Sequence, residues 1–312
     1  MSTMVVLNPH SASGRTGREA KDIVRKIAVR IGPVSLGLTT GPGDATRITA
    51  KALAEGYDQI IAVGGDGTLN EVINGFFRQG EAINPASVLG FVMTGTGGDF
   101  RKTFGIAPGI DAGVKGFAEG RLRRIDLGHL SFVDEAGAPR TRVFGNISSF
   151  GLSGAVTRSV NRARVSKILG GSFAFAFNSA HAMMRYKAKP VRLKVDTIFD
   201  DVVTVSTVAV CNGQYFGGGM RIAPDARPDD GEFDVIVMGE AKPRELLRGM
   251  REIYRGEHIR NPAVKVLRGQ TVIAAPVEET MGKAVLLEVD GETPGRLPAT
   301  FQIMPQALTI RC

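Results

Sequence analysis

The chain has 312 residues, 43% hydrophobic and 22% charged, and its 39 Lys plus Arg against 31 Asp plus Glu leave a net charge of +8. That composition is globular, with enough apolar residues for a sizeable core, and it excludes a disordered or fibrous chain. Two cysteines, Cys211 and Cys312, exclude a disulfide framework or cysteine metal centre, and the four histidines show no ligand spacing.

Along the first 125 residues, short apolar runs alternate with helical patterns. In order they are Met4–Leu7 and Glu19–Ile31, Val34–Leu38 and Ala45–Glu55, Gln59–Val63 and Leu69–Phe77, then Val88–Met93 and Ile110–Glu119. This βαβα order predicts an α/β domain over 1–125, a mostly parallel sheet with helices on both faces. Such sheets bind ligands beyond the carboxyl ends of their strands. Asn8, the Gly64–Gly65–Gly67 group and the Gly95–Gly97–Gly98 group each follow a predicted strand, so three loops are expected at one crevice.

From about Leu122 the texture changes to alternating segments: Arg123–Val133, Arg142–Phe150, Val191–Val195, Val202–Val210, Phe233–Met238, Val264–Leu267, Val285–Val289 and Leu308–Arg311. They predict an antiparallel β-sandwich over 126–299, interrupted at 153–187 by a helical insertion that is first basic and then apolar. The N-terminus has no secretory pattern and no apolar span reaches 18 residues, so a cytoplasmic location is expected. A charge of +8 suits nucleic acid, an anionic membrane surface or a polyphosphate ligand, but four Tyr and no Trp argue against nucleic acid.

Residues 60–72, IIAVGGDGTLNEV, read as a buried strand, a glycine turn and a helix opening at Gly67 or Thr68. Glycines let the backbone approach an anion and helix-start amides point at it, which makes a phosphate cradle; a tight strand-to-helix turn with an Asx cap is the plain alternative. Asp66 fits a cradle if a divalent cation bridges it to phosphate or if it accepts from a loop amide. Asp229, Asp230 and Asp234 bracket Gly231 and could supply oxygen ligands to a hard cation or form a solvated acidic turn. Asp126, alone in a strand, is more simply a structural hydrogen-bond partner. In Gly239–Arg255, the residues Arg244, Arg248, Arg251 and Arg255 recur at helical spacing, a face for anionic lipid or for solvent.

GGDGTLNEV, together with NPHSASGRTG at 8–17, GTGGDF at 95–100, IDLG at 125–128, YFGGGMRIAPDARPDDGEFDV at 215–235 and VDGE at 289–292, resembles the diacylglycerol kinase catalytic-domain family, which includes bacterial lipid kinases, sphingosine kinases and ceramide kinases. The resemblance implies an N-terminal nucleotide domain and a C-terminal sandwich that holds a lipid. It places ATP and Mg²⁺ between them and returns the last strand, about 300–312, to the first domain. It implies nucleotide contacts from Asn8, Gly14, Arg15, Gly64, Gly65, Asp66, Gly67, Thr68, Asn70, Thr96 and Lys102. Catalytic roles fall to Asp66, Asp99 and Glu292, the last as general base in preference to Asp290. Metal roles fall to Asp99 and Asp126 near the chemistry and to Asp229, Asp230 and Asp234 at a structural Mg²⁺ site. The family string G-T-x-N-D-F-A-R is altered here, with Gly98 for the Asn and Arg101–Lys102 for the Ala–Arg pair.

The implied function is transfer of the γ-phosphoryl group of Mg-ATP to a lipid hydroxyl: diacylglycerol, a sphingoid base, ceramide and phosphatidylglycerol all stay open. The alternatives are an NAD kinase-like enzyme and a catalytically silent nucleotide- or lipid-binding module. The implied partners are a lipid alcohol and an anionic membrane surface, with the protein cytoplasmic and peripherally attached. No nucleic acid is expected, and a homodimer stays open.

Overall fold

The structure, a computed structural model, describes residues 2–95, 97–165, 186–240, 243–280, 282 and 284–312. The first part runs β1 (Thr3–Leu7), α1 (Arg15–Arg18), α2 (Ala20–Ile31), β2 (Ser35–Leu38), α3 (Asp44–Ala54), β3 (Gln59–Gly64), α4 (Asp66–Gly75), the hairpin β4 (Phe77–Arg78) and β5 (Glu81–Ala82), β6 (Val88–Met93), α5 (Asp99–Thr103) and α6 (Ile110–Glu119). Strands β2, β1, β3 and β6 lie side by side and pair in parallel. Every residue of β3 is buried, because helices cover both faces of the sheet. Ile60 and Ala62 face Leu69 and Val72 of α4 in one apolar cluster, while Ile61 and Val63 join Ile23 and Ile27 of α2 and Phe117 of α6 in another. Helix α4 begins at Asp66, a residue or two earlier than the sequence suggests, and α5 is too short to show a periodicity.

The second part runs β7 (Leu122–Val133), β8 (Pro139–Phe144), β9 (Ile147–Gly151), α7 (Leu152–Val165), β10 (Lys189–Val195), β11 (Phe199–Cys211), the hairpin β12 (Tyr215–Phe216) and β13 (Met220–Arg221), β14 (Phe233–Gly239), α8 (Pro243–Arg255), β15 (Val264–Gly269), β16 (Thr271–Pro276), β17 (Leu287–Val289) and β18 (Arg296–Arg311). Its core strands pair antiparallel. The expected segment Arg142–Phe150 is divided into β8 and β9. Of the helical insertion, 166–185 lies outside the described residues.

One strand ties the two parts together. β18 pairs antiparallel with β16 and β7 and, at Thr309 and Ile310, parallel with Val88 and Leu89 of β6. Fourteen described strands thereby share one sheet. The later strands enclose an apolar cluster in which Phe144 stacks on Phe233 at 5.7 Å and meets Phe301 edge-on at 6.4 Å. Each such ring contributes about 1.5–3 kcal/mol by leaving water. Gly128 is required on β7 because a Cβ there would stand 2.1 Å from the Phe144 ring. Cys211 is a fully buried free thiol, and burial raises its pKa.

Candidate active site

The loops after β1, β3 and β6 meet at the carboxyl edge of the parallel strands and are cross-linked there. Asn8 Nδ2 donates to Thr68 Oγ1 at 3.0 Å, Thr94 N donates to Gly64 O at 2.9 Å, and Thr16 Oγ1 donates to Thr94 Oγ1 at 2.7 Å. Arg15 Nη2 reaches Thr94 O at 3.0 Å. Ahead of α1, Ala12, Ser13 and Gly14 all have positive φ, at 52°, 56° and 81°. Two non-glycine residues in that region cost about 1–2 kcal/mol each. Strain of this kind tends to be kept where successive amides must point at a ligand.

Gly64 has no room for a side chain, since a Cβ would stand 2.5 Å from Thr68 Oγ1. The Thr68 side chain folds back over the strand end, so the start of α4 lies close against β3. The first amides of α4 are donors that the helix cannot use internally, and its dipole adds positive potential at the same place. Among the described residues, Asn8, Gly14, Arg15, Gly64, Gly65, Asp66, Gly67 and Thr68 belong to these linked loops; Thr96 lies outside the described residues.

Asp66 accepts from loop amides, as its place in the loop allows. Its Oδ2 accepts from Gly98 N at 2.9 Å and its Oδ1 from Phe100 N at 3.4 Å, joining two glycine loops. Burial, then the Asp99 charge, raises its pKa. Gly98 is left-handed (φ +57°), a conformation open to Gly and to Asn. A Cβ at that position would stand 2.8 Å from Arg101 Nε. The exchange of the family's Asn–Ala pair for Gly98 and Arg101 is therefore sterically matched, because the larger residue at 101 fills the space vacated at 98.

Asp99 is buried, pairs with Lys102 Nζ at 2.7 Å and accepts from Gly218 N at 2.7 Å. Lys102 thus faces Asp99, and the β12–β13 hairpin of the second part reaches the loop of the first. Asn70, expected at the nucleotide, is buried. Its Nδ2 donates to Asp290 Oδ2 at 2.7 Å and its Oδ1 accepts from Arg142 Nε and Nη2 at 2.9 and 2.6 Å. Arg142 Nη2 also pairs with Glu292 Oε2 at 2.7 Å. Glu292 Oε1 stands 3.6 Å from where a Cβ of Gly67 would be. A carboxylate from the second part is therefore set against the glycine cradle of the first.

Asp290 and Glu288 are further acids of that turn. Asp290 accepts from Gly145 N at 3.2 Å and Ile147 N at 3.0 Å, and burial pushes its carboxyl up to about 6. Glu288 accepts from Ser149 Oγ and from Gly291 N, each at 2.6 Å, and burial pushes it up to about 7. An acid whose pKa is raised by folding keeps its proton more tightly in the native state. Its contribution to stability therefore declines as pH rises from the ordinary 4.5 to about 7. Glu288→Gln cannot ionise, so its thermal midpoint is expected to gain on the wild type across that window. A difference that does not vary with pH would contradict burial as the cause.

The remaining acids lie elsewhere. Asp126 is fully buried, and its oxygens accept from Gly231 N and Gln306 N at 2.7 Å each. Gln306 sits where the β18 register shifts against β7, so the carboxylate satisfies an amide that the ladder drops. Asp229, Asp230 and Asp234 do not assemble as a metal site. Asp229 pairs with Arg227 at 3.5 Å and Asp230 with Arg268, while Asp234 is buried in β14 with its carboxyl pushed up to about 6 by burial. Among the described residues, no three His, Cys, Asp or Glu side chains are grouped so as to hold a metal ion. On α8, Arg251 and Arg255 are exposed, whereas the side chains of Arg244 and Arg248 lie outside the described residues. No helix among the described residues is long and apolar enough to cross a membrane.

The participants that motif reasoning missed are Arg142, Glu288 and Ser149. Of these, only Glu288 had a clue, its place two residues before Asp290 in LEVDGE.

Comparison with known proteins identifies the arrangement. The diacylglycerol kinase catalytic domain matches residues 2–130 and the YegS C-terminal NAD kinase beta sandwich-like domain matches residues 146–312. A diacylglycerol kinase of Staphylococcus saprophyticus is 29% identical over 98% of this chain and 93% of its own length. One from Staphylococcus haemolyticus is 30% identical over 95% of this chain and 84% of its own. Two solved structures from Bacillus anthracis share the fold over 99% of the chain. The first has a TM-score of 0.76 at 20% identity over 94% of its length. The second, a diacylglycerol kinase, has a TM-score of 0.68 at 19% identity over 96% of its length. The chain belongs to the diacylglycerol kinase family and is a lipid kinase, a phosphotransferase with an alcohol acceptor.

Proposed function

We propose that the protein transfers the γ-phosphoryl group of Mg-ATP to the hydroxyl of diacylglycerol or a closely similar lipid alcohol. The observation that carries this reading is the carboxylate of Glu292, with Oε1 3.6 Å from the Cβ position of Gly67, beside the amides that would hold the phosphates. Residues 1–125 with the end of β18 form the nucleotide half, and 126–299 form the lipid half around its apolar cluster. The names of the relatives favour diacylglycerol among the open lipids.

In this reading the amides at the start of α4, the left-handed turn at 12–14 and Arg15 bind and orient the triphosphate. Asp66 and Asp99 fit a magnesium ion carried in by the nucleotide: they are oxygen donors close enough for the Asp99 charge to raise Asp66. Mg²⁺ ordinarily binds through one or two carboxylates plus substrate phosphates, which agrees with the lack of a dedicated cage among the described residues. Asp126 has a structural part in this reading, holding the amides of Gly231 and of Gln306 at the register shift of β18. A magnesium ion held there would neutralise charge on the phosphate oxygens. Glu292 accepts the proton of the lipid hydroxyl as that oxygen bonds to the γ-phosphorus, the bond from that phosphorus to the bridging oxygen breaks and ADP leaves, and Arg142 aims the carboxylate.

The test is incubation with labelled ATP and Mg²⁺ over diacylglycerol, a sphingoid base, ceramide and phosphatidylglycerol, with NAD as control. Label on diacylglycerol alone is expected. Label on NAD alone would replace this reading with the NAD kinase-like one.

Membrane approach is part of the proposal. On α8, Arg251, Tyr254 and Arg255 are exposed while Ile253 packs inward against the fold. Surface cations near anionic lipid contribute about 1 kcal/mol each and are screened over ~10 Å at 0.1 M salt. Sedimentation with anionic vesicles is expected to fall with salt and to weaken several-fold in Arg251→Glu/Arg255→Glu. Unchanged sedimentation would leave this face as solvated surface.

A further inference from the structure

The string LEVDGE carries three carboxylates, and phosphoryl transfer as described uses only the last. Glu288 is 5% exposed on β17, a place where a carboxylate is costly to keep. Both its oxygens are committed: Oε2 accepts from Ser149 Oγ and Oε1 from Gly291 N, each at 2.6 Å. Gly291 is the second central residue of a two-residue hairpin turn. Val289 N donates to Glu292 O at 2.8 Å and Glu292 N donates to Val289 O at 2.9 Å. The central residues Asp290 and Gly291 have φ of 45° and 91°, the type I′ pattern that Asp-Gly favours.

The weak point of such a turn is its central peptide. Rotating that peptide converts type I′ into type II′ and swings the second amide to the opposite side. Here the second amide belongs to Gly291, and Glu288 holds it. Glu292 follows Gly291 directly, so a hold on the Gly291 amide steadies the backbone from which the Glu292 side chain departs.

We propose that Glu288 is a positioning residue for phosphoryl transfer, its buried carboxylate locking the Asp290–Gly291 peptide so that the turn presents Glu292 to the glycine cradle. This rests on Glu292 as the base. The two buried acids then have separate roles. Asp290 fastens the turn to Gly145, Ile147 and Asn70, and Glu288 sets the direction of its backbone.

The experiment separates reach from charge. Glu288→Asp keeps the charge but falls one methylene short of the Gly291 amide; Glu288→Gln keeps the reach and removes the charge. With Mg-ATP and diacylglycerol in mixed micelles, Glu288→Asp is expected to lower kcat ~10²-fold, the scale of a small misplacement, with KM for ATP little changed. Glu288→Gln is expected to recover most of that loss. Equal rates in the two variants, or a faster Asp variant, would overturn the proposal, since a carboxylate needed as buried charge gives that order.

In a Glu292→Gln background, Glu288→Asp should add no further loss, because a positioning residue cannot act through an absent base. A second full loss there would also overturn it. The exchange rate of the Gly291 amide, read by NMR without reference to turnover, should rise in Glu288→Asp and stay low in Glu288→Gln; unchanged protection in the Asp variant counts against the lock. If Glu292→Gln itself turns over at the wild-type rate, the base assignment has failed and the positioning role falls with it. If Glu292→Gln is slow and Glu288→Asp is fast, only the positioning role has failed.

Discussion

Glu292→Gln is expected to lower kcat by ~10²–10⁴-fold, the usual worth of general-base assistance, while leaving Mg-ATP affinity nearly unchanged. A lipid hydroxyl is a poor nucleophile at neutral pH, and this carboxylate is the acid that the second part of the chain sets against the cradle. The amide keeps the size of the side chain and can still accept from Arg142, so the turn should hold its shape. Stability should change little. The Arg142–Glu292 pair is partly open to solvent, with 42% of the Glu292 side chain exposed, and ion pairs of that kind contribute about 0–1 kcal/mol. Steady-state kinetics with ATP and diacylglycerol, beside a thermal melt, check both halves of the expectation. A near-normal kcat would move the base role to Asp99 or Asp66.

The α/β half was legible because it rests on local signals. Continuous apolar runs such as Gln59–Val63 mark strands buried on both faces, and the glycines that follow them mark the carboxyl edge. Asn8, Gly64 and Thr68 consequently lie in one linked set of loops. What stayed hidden is long-range pairing. No local pattern tells that Asn70, within the most recognisable motif of the chain, binds Asp290, 220 positions away. Arg142 is one Arg among many until the fold brings it between Asn70 and Glu292. The acidic stretch at 229–234 misled in the opposite direction. Its carboxylates look like a ligand set in one dimension, but in the sheet Asp234 lies opposite Arg268, and that arginine binds Asp230. Asp126 also resolves only in three dimensions, where the amide it accepts belongs to a register shift in a strand 180 residues later.

Asp66→Ala is expected to lower kcat/KM for ATP by ~10²–10³-fold, the scale of losing one preorganised electrostatic group, and to change stability by only about 1 kcal/mol. The second number follows from two opposing effects. The substitution strands the amides of Gly98 and Phe100, which destabilises. It also removes a carboxylate whose pKa is raised by burial and by the nearby Asp99 charge, which relieves a standing cost. The kinetic loss has two candidate sources, the missing charge at the phosphates and a loosened loop at 97–100, and Asp66→Asn separates them. Its single acceptor oxygen can still hold Gly98 N while the charge is gone. Activity as low in the Asn variant as in the Ala variant assigns the role to charge, whereas recovery in Asn assigns it to loop geometry. Turnover at the wild-type rate in Asp66→Ala would sink both, and with them the placement of the triphosphate at the start of α4.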